Sequence, residues 1–405
     1  MIVFKKIHLL KILFVILIFN ACNQKTPPIE IKDADLPKNS LPKMKPLTSE
    51  ATLDKNYIRA IKKKIALFYD YNWKNSPLNG AFLVAKNGQI IFEKYKGIAD
   101  LNKSTSIQSN TPLHIASVSK VFTATAILKL ANAKRIHLDQ KVNHIIPQFP
   151  FPEITIRMLL NHRSGLRNYA YFTDRDKNIW DKRNHLTNQA ILNLLATKNI
   201  GLDYKPNTRF SYCNTNYVIL ALLIEKTTKM PYKKAMNKMI FRPLGMKHTF
   251  VFDYEKEKKY VVPSYKANGV EIGKDYLDAV YGDKNIYSTA RDLLLFDRAR
   301  NRSGFLEPDL LRQVYQAYSN EHSGKKNYGL GIRIIQCDTQ NNVYYHNGWW
   351  HGNTSAYITL PKEQVTIIAL SNKMTKSTYK VKKIAPLFGY YPFEEEELDF
   401  IEQTH

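Results

Sequence analysis

Three cysteines in 405 residues exclude a disulfide framework, because Cys22 closes the N-terminal segment and only Cys213 and Cys337 remain. Glycine (16) and proline (18) are not enriched, which excludes a collagen-like or low-complexity chain and leaves a mostly ordered globular one. A long apolar run is also missing: the stretch up to Phe19 is interrupted by His8 and Lys11 and is too short for a comfortable membrane span. Acidic residues are scarce, 35 against 60 basic, for a net charge of +25. Such a balance suits nucleic acid or an anionic membrane or wall surface. The lysines are spread along the chain, however, with no basic block beyond "IKKKI" and "KEKK", so the charge reads as general composition. There is no G-x-S-x-G elbow, H-E-x-x-H, P-loop or G-x-G-x-x-G. The eleven histidines form no ligand cluster along the chain, so no metal or cofactor is expected.

What is present begins with an address. "MIVFKKIHLLKILFVILIFNAC" has a basic start, an apolar segment and a small residue before Cys22, the layout of a signal peptide. Its end resembles a bacterial lipoprotein lipobox, with Phe19 where leucine is usual. The resemblance implies removal of residues 1–21, lipidation of Cys22 and anchoring to a membrane of the cell envelope without a spanning helix. Plain secretion is the alternative. Export in either form argues against a nucleic-acid partner. Residues 22–52 carry five prolines and many charges and read as a tether. The folded domain is expected over 53–390, with a mostly helical subdomain at about 135–290 and a charged tail over 391–405.

Within the domain, Ile58, Ile61, Ile65, Leu67 and Phe68 recur at helical spacing. "AFLVAKNGQIIFEKYKG" is a hairpin signal, two β-rich runs around Asn87-Gly88. A helix with a buried stripe of Val121, Phe122, Ala124, Ile127 and Leu128 follows. "YGLGIRIIQ", "NVYYHN", "TSAYITLP" and "QVTIIALSN" read as strands, the last two joined by Pro361–Gln364. Strands at both ends with helices between them predict an α+β fold, one antiparallel sheet built from both chain ends and flanked by helices.

Four Ser-x-x-Lys pairs occur, at Ser40/Lys43, Ser117/Lys120, Ser323/Lys326 and Ser377/Lys380. The first lies in the tether, the third in a polar loop, and the fourth opens an exposed-looking basic segment. Only Ser117 stands at the start of a strongly apolar helix. There, i and i+3 side chains share a face and the helix N-terminus offers free N–H groups. The bland reading is a serine cap followed by a solvent-facing lysine. Further along come Tyr212-Cys213-Asn214, in a polar turn before a second apolar helix, and His346-Asn347-Gly348 at a strand end.

Serine–lysine, Tyr-x-Asn and a basic-x-Gly strand, in that order, resemble the serine β-lactamase and penicillin-binding protein superfamily. The nearest likeness is the class C β-lactamase, D-alanyl-D-alanine carboxypeptidase and esterase branch. "TPLHIASVSKVFTATAIL", "ITIRMLLNHRSGL", "FRPLGMKHTF" and "NIYSTARDLLLF" are similar to that branch too. The resemblance implies that Ser117 is the acylated nucleophile, Lys120 its proton partner and Tyr212 the general base. It implies that Asn214 hydrogen-bonds the substrate and Lys120, and that the N–H groups of Ser117 and Trp349 form an oxyanion hole. Substrate would lie along the strand at His346 and Gly348, with Gly348 leaving room for its approach. His346 departs from the Lys-Thr-Gly of β-lactamases, which favours a peptidase, amidase or esterase. Candidate substrates are D-amino-acid peptides, small esters and β-lactams. A non-turning-over envelope binding protein on the same fold is the alternative. Trp350 and His351 receive no role.

Overall fold

Residues 53–391, other than 176, 322–323 and 338–340, are described by a computed structural model. The leader, Cys22, the tether and the tail beyond Tyr391 lie outside the described residues. Helix α1 (Lys55–Asn72) starts where Asp54 accepts from the Tyr57 N–H, and it buries Ile61 and Ile65. Leu67, expected on the same face, is 61% exposed. Strands β1 (Gly80–Lys86) and β2 (Gln89–Lys96) form the expected hairpin. Asn87 and Gly88 have φ of 50° and 72°, the left-handed pair that a tight two-residue hairpin needs. The short pair β3 (Ile98–Asp100) and β4 (Thr105–Ser106) follows, then β5 (Leu113–His114) and a 3-10 turn, Ala116–Val118.

Helix α2 (Ser119–Asn132) begins two residues after Ser117. Eleven of its fourteen residues are buried, so it is enclosed on all sides rather than along a stripe. The middle of the chain carries α3 (Ile156–Leu160), α4 (Tyr169–Arg175), α5 (Asn188–Thr197), α6 (Asn214–Thr228) and α7 (Tyr232–Met236). It continues through β6 (Phe250–Val251), α8 (Tyr254–Glu257), β7 (Ser264–Tyr265), β8 (Glu271–Ile272) and β9 (Ile286–Ser288). Strands β5, β9 and β6 make a small sheet beside Ser117. Helices α9 (Ala290–Arg300) and α10 (Pro308–Val314) lead back to the large sheet.

"YGLGIRIIQ" divides at its glycines into β10 (Lys326–Tyr328) and β11 (Arg333–Gln336), followed by β12 (Asn342–Trp350), β13 (Asn353–Leu360) and β14 (Val365–Ser371). The seven-stranded sheet runs β10-β11-β12-β13-β14-β1-β2, antiparallel throughout, with β1 closing on β14. This is the α+β sheet built from both chain ends. Strands β1 and β14 are apolar in succession because both faces are covered. Leu83, Ile368 and Leu370 enter one apolar cluster with the helical layer, while Phe82, Val84 and Ile367 enter another. Each fully buried side chain of this size contributes roughly 1.5–3 kcal/mol. The second face is closed by α1 and a 3-10 run, Ser377–Leu387, which buries Tyr379, Val381 and Ile384. The segment after Ser377 is therefore packed on the sheet, not an exposed basic stretch. No helix among the described residues is long and apolar enough to cross a membrane.

Candidate functional site

Ser117 sits in a strained turn. Ala116, just before it, has φ 47°, a left-handed conformation that costs a residue with a Cβ on the order of 1 kcal/mol. Neighbours hold the turn from several sides. The Ala116 N–H donates to His114 Nδ1 at 3.1 Å, so His114 carries its proton on Nε2 and donates to Asn285 Oδ1 at 3.0 Å. Asn285 in turn donates to the carbonyls of Asp278 and Val280. Burial lowers the His114 pKa to about 3, so the imidazole is neutral and its tautomer is fixed by its partners. Ser355 Oγ donates to the Ile115 carbonyl at 2.6 Å. Ser117 itself is half-buried and reachable.

Lys120 is fully buried, so the solvent-facing reading fails. Its ammonium is 3.1 Å from Ser117 Oγ and donates to the Asp283 carbonyl at 2.9 Å. It lies 5.0 Å from the Tyr212 ring centre and 5.7 Å from that of Tyr217. A second buried lysine stands behind it. Lys284 donates to the Tyr169 hydroxyl at 2.6 Å, which donates to Asp283 Oδ2 at 2.9 Å. Burial pushes the Lys284 pKa down, and Asp283, first among its neighbouring charges, opposes that.

Tyr212 is seated by His162. The Cys213 N–H donates to His162 Nδ1 at 3.1 Å, and the Ser211 N–H donates to the His162 carbonyl at 2.9 Å. The imidazole lies 4.4 Å from the Tyr212 ring, centre to centre. Burial first, then the charges of Lys120 and Arg333, hold the His162 pKa well below the usual range. On the Tyr212 ring the Arg333 guanidinium sits at 4.8 Å. The Tyr212 hydroxyl and Asn214 Oδ1 are buried with no hydrogen-bond partner among the described residues. Buried polar atoms are nearly always paired, so two such atoms beside a serine–lysine pair mark a place built for a ligand. Asn214 opens α6 without capping it, and the expected bond from Lys120 to Asn214 is absent.

His346 differs most from its expected part. It is wholly buried. Nδ1 lies 2.7 Å from the Asn347 carbonyl, which only accepts, so Nδ1 carries the proton and Nε2 accepts from the Tyr328 hydroxyl at 3.1 Å. Both ring nitrogens are used, and the ring lies tilted at 45° to that of Tyr212, 6.2 Å between centres. Burial, Arg333 and Lys120 hold its pKa well below 6.5, so the ring is neutral. No hydrogen bond to Tyr212 or to a substrate carboxylate is therefore available from this side chain. Arg333 and Lys120 are the cations gathered at this place.

Gly348 also has a different reason. A Cβ there would lie 2.3 Å from Ser355 Oγ, 2.5 Å from the Ile115 carbonyl and 3.0 Å from Ala116 Cβ. The glycine lets β12 press against the Ser117 turn. Beyond Tyr345, β12 has no strand partner on its β11 side among the described residues, because β11 pairs with residues 342–345. Residues 346–350 thus offer an open edge beside Ser117. The Tyr379 hydroxyl donates to the Gly348 carbonyl at 2.9 Å from a segment packed over β13 and β14. A trans peptide points its N–H opposite to its C=O. The half-buried Trp349 accordingly directs its N–H away from Tyr379, toward the open edge.

Trp350 and His351, without a role in the sequence, clamp Asp278. Trp350 Nε1 donates at 2.8 Å and His351 Nε2 lies 3.0 Å away. Burial alone would raise the Asp278 pKa; His351 and the Trp350 N–H overcome it and hold the carboxyl well below the usual range. Asp275, Asp278 and His351 are the one metal-like group among the described residues. The Asp278 oxygens are already taken by Trp350, His351 and the Asp275 N–H, so the group works as a hydrogen-bonded clamp that ties the end of β12 to the 275–285 loop. His114 and His162 had signals, inside "TPLHIAS" and "NHRSGL"; Arg333, Tyr379, Asp278 and Lys284 had none, being brought in by the fold alone.

Comparisons with known proteins agree with this geometry. The Beta-lactamase family model matches residues 68–386. Penicillin-binding protein 4* of Bacillus subtilis (strain 168) is 28% identical over 339 residues, 79% of this chain and 73% of that protein. Protein flp of Staphylococcus aureus (strain MRSA252) is 30% identical over 325 residues, 77% of this chain and 63% of that protein. The chain thus spans less than two thirds of the length of flp. A crystal structure of D-amino acid amidase from Ochrobactrum anthropi SV3, complexed with L-phenylalanine, superposes with a TM-score of 0.64 at 21% identity. It covers 82% of this chain and 98% of that one, a likeness of fold. With the family model matching most of its length, this chain belongs to the Beta-lactamase family and has its serine hydrolase-type fold.

Proposed function

We propose that the protein is a serine hydrolase that forms an acyl-enzyme on Ser117 and cleaves an amide or ester. The carrying observation is the buried Lys120 ammonium 3.1 Å from the half-buried Ser117 hydroxyl, with the unpartnered Tyr212 hydroxyl in the same pocket. With one proton absent from the Lys120–Tyr212 pair, Ser117 Oγ attacks the substrate carbonyl and its proton passes to that pair. The N–H groups of Ser117 and Trp349 receive the oxyanion, each worth on the order of 3 kcal/mol. Collapse expels the amine or alcohol, which takes the proton; water activated by Tyr212 then releases the acid. Asn214 Oδ1, unpartnered, is the acceptor for a substrate amide.

The neutral His346 leaves Arg333 as the fixed cation beside Tyr212. That supports substrates bearing a carboxylate near the scissile bond, D-amino-acid peptides and β-lactams ahead of simple esters. The test is covalent labelling with penicillin and a fluorophosphonate, followed over time by mass spectrometry, with turnover of nitrocefin, a D-Ala-D-Ala peptide and a p-nitrophenyl ester. Ser117→Ala should abolish labelling and turnover with folding intact. Penicillin labelling with no turnover of any of the three substrates would instead mean a binding protein, and absence of both labelling and turnover sinks the reading. The same proposal places the domain in the cell envelope on a lipid at Cys22, to be checked by the mass of the mature N-terminal peptide.

A further inference from the structure

The segment 282–286, which leads into β9, is a template for the Ser117 turn. The Gly282 carbonyl accepts from Thr123 Oγ1 of α2 at 2.6 Å, and the Asp283 carbonyl accepts from Lys120 at 2.9 Å. Asn285 Oδ1 accepts from His114, whose other ring nitrogen accepts from the Ala116 N–H. The Ile286 carbonyl accepts from the Ile115 N–H at 2.9 Å, and the Ile286 N–H donates to Ser119 Oγ at 3.2 Å. Lys284, in the middle of the segment, joins it to two other elements. Its ammonium donates to the Tyr169 hydroxyl of α4 at 2.6 Å and lies 4.5 Å from the ring centre of Trp350 on β12. Trp350 follows the residue whose N–H faces the open edge.

Stability is a poor reason for a lysine at this position. Lys284 and Asp283 are 3% and 1% exposed. Removing such ions from water costs several kcal/mol each, which a buried pair regains only in excellent geometry. Here Lys284 Nζ is 3.7 Å from Asp283 Oδ2, and the Tyr169 hydroxyl bridges the two, donating to Oδ2 at 2.9 Å. Asp283 Oδ1 is buried with no hydrogen-bond partner among the described residues. Burial pushes the Lys284 pKa down, while Asp283, Asp278 and Asp275 favour its charge and Lys120 opposes it. Apolar side chains of similar volume often fill such a place at no loss of stability. What the charged pair adds is a grip on Asp283, the residue whose carbonyl holds Lys120. We propose that Lys284 and Tyr169 are positioning residues of the candidate site, which fix the Asp283 peptide so that its carbonyl keeps Lys120 within reach of Ser117 Oγ. Both act through Asp283 rather than on the reacting atoms. The inference rests on the acyl-transfer reading of Ser117 and Lys120.

The test compares Lys284→Met, Tyr169→Phe and the double variant with the unaltered chain, well below the lowest Tm. Mass spectrometry with a fluorophosphonate gives both the fraction of chains labelled at completion and the rate constant of labelling. The labelled fraction should be unchanged, because Ser117 is intact. The rate constant should fall about tenfold in each single variant, since a displaced Lys120 no longer meets Ser117 in line. Turnover of the p-nitrophenyl ester should show kcat lowered by a similar factor, with KM within about twofold. A role in folding alone would lower the labelled fraction and leave the rate per labelled chain as it was, and that result overturns the proposal. The double variant should be no slower than the slower single one, because both residues work along one path. Multiplied losses, about a hundredfold, overturn it as well. Should Lys284→Met fail to fold, Tyr169→Phe, which loses only a hydroxyl, carries the same expectation alone. An unaltered protein that neither labels nor turns over defeats the acyl-transfer reading and this inference with it. Unchanged rates in fully labelled variants defeat the inference alone.

Discussion

The Tyr379 hydroxyl donates to the Gly348 carbonyl, and so orients the peptide whose N–H belongs to Trp349. This bond couples the 3-10 segment behind the sheet to the edge where an oxyanion would be held. Tyr379→Phe removes only the donor. Ester turnover is expected to fall about tenfold with KM little changed, because a loosened donor loses part of its transition-state value. Fluorophosphonate labelling of Ser117 should persist. A kcat within twofold of the original would remove Tyr379 from the account.

Gly348→Ala inserts a methyl group between β12 and the Ser117 turn, against Ser355 Oγ and the Ile115 carbonyl. Overpacking of this kind costs roughly 1–3 kcal/mol. Urea unfolding should register that loss. Activity should drop further than stability explains, since the displaced residues are Ile115 and Ala116, which set Ser117. Full activity in the alanine variant would mean that the contact is soft.

Restoring the lysine usual in β-lactamases should not create one. His346→Lys places an ammonium in a wholly buried site that already faces Arg333 and Lys120. An uncompensated buried charge costs roughly 3 kcal/mol or more. The expected outcome is a clearly lowered urea midpoint and no gain in nitrocefin turnover. A stable variant with raised turnover would contradict the burial argument.

Acid should loosen the Ser117 turn through His114. Its folded pKa is about 3, against about 6.5 for an unfolded histidine. Between those values the unfolded chain binds the extra proton, so stability rises with pH. The contribution is complete above about pH 6.5 and is lost as pH falls toward 3. Asn285 favours the proton, while Lys274 and His351 oppose it and Asp278 favours it, all weaker than burial. His162 and His346 shift in the same direction and add to the slope. Thermal melts from pH 7.5 to 4.5 should show a falling Tm, with a shallower slope for His114→Asn. A flat profile would mean that His114 is not buried in the neutral form.

Much of the candidate site was legible because its residues stand at short, recognisable spacings. Ser117 and Lys120 share one turn of backbone, and Tyr212 immediately precedes an apolar helix, so local pattern suffices to find them. The α+β sheet was legible for a similar reason, since "AFLVA" and "VTIIALS" are apolar enough to read as strands buried on both faces. Other readings failed where a residue's environment comes from distant sequence. The basic-looking segment after Ser377 buries Tyr379 on the sheet, whereas Leu67, two residues after the buried Ile65, lies on the opposite side of its helix and faces solvent.

The sequence by itself determined the order of the candidate site residues, the strand-rich ends and the helical middle, because these depend on neighbours within a few positions. Tertiary structure alone decided the electrostatics. It buried His346 between Tyr328 and Asn347 and left it neutral, and brought Arg333 onto the Tyr212 ring. It also turned Trp350 and His351 toward Asp278, seventy-two and seventy-three positions away. Charge and hydrogen bonding act over a few ångströms of space whatever the separation along the chain, so only the fold could set them.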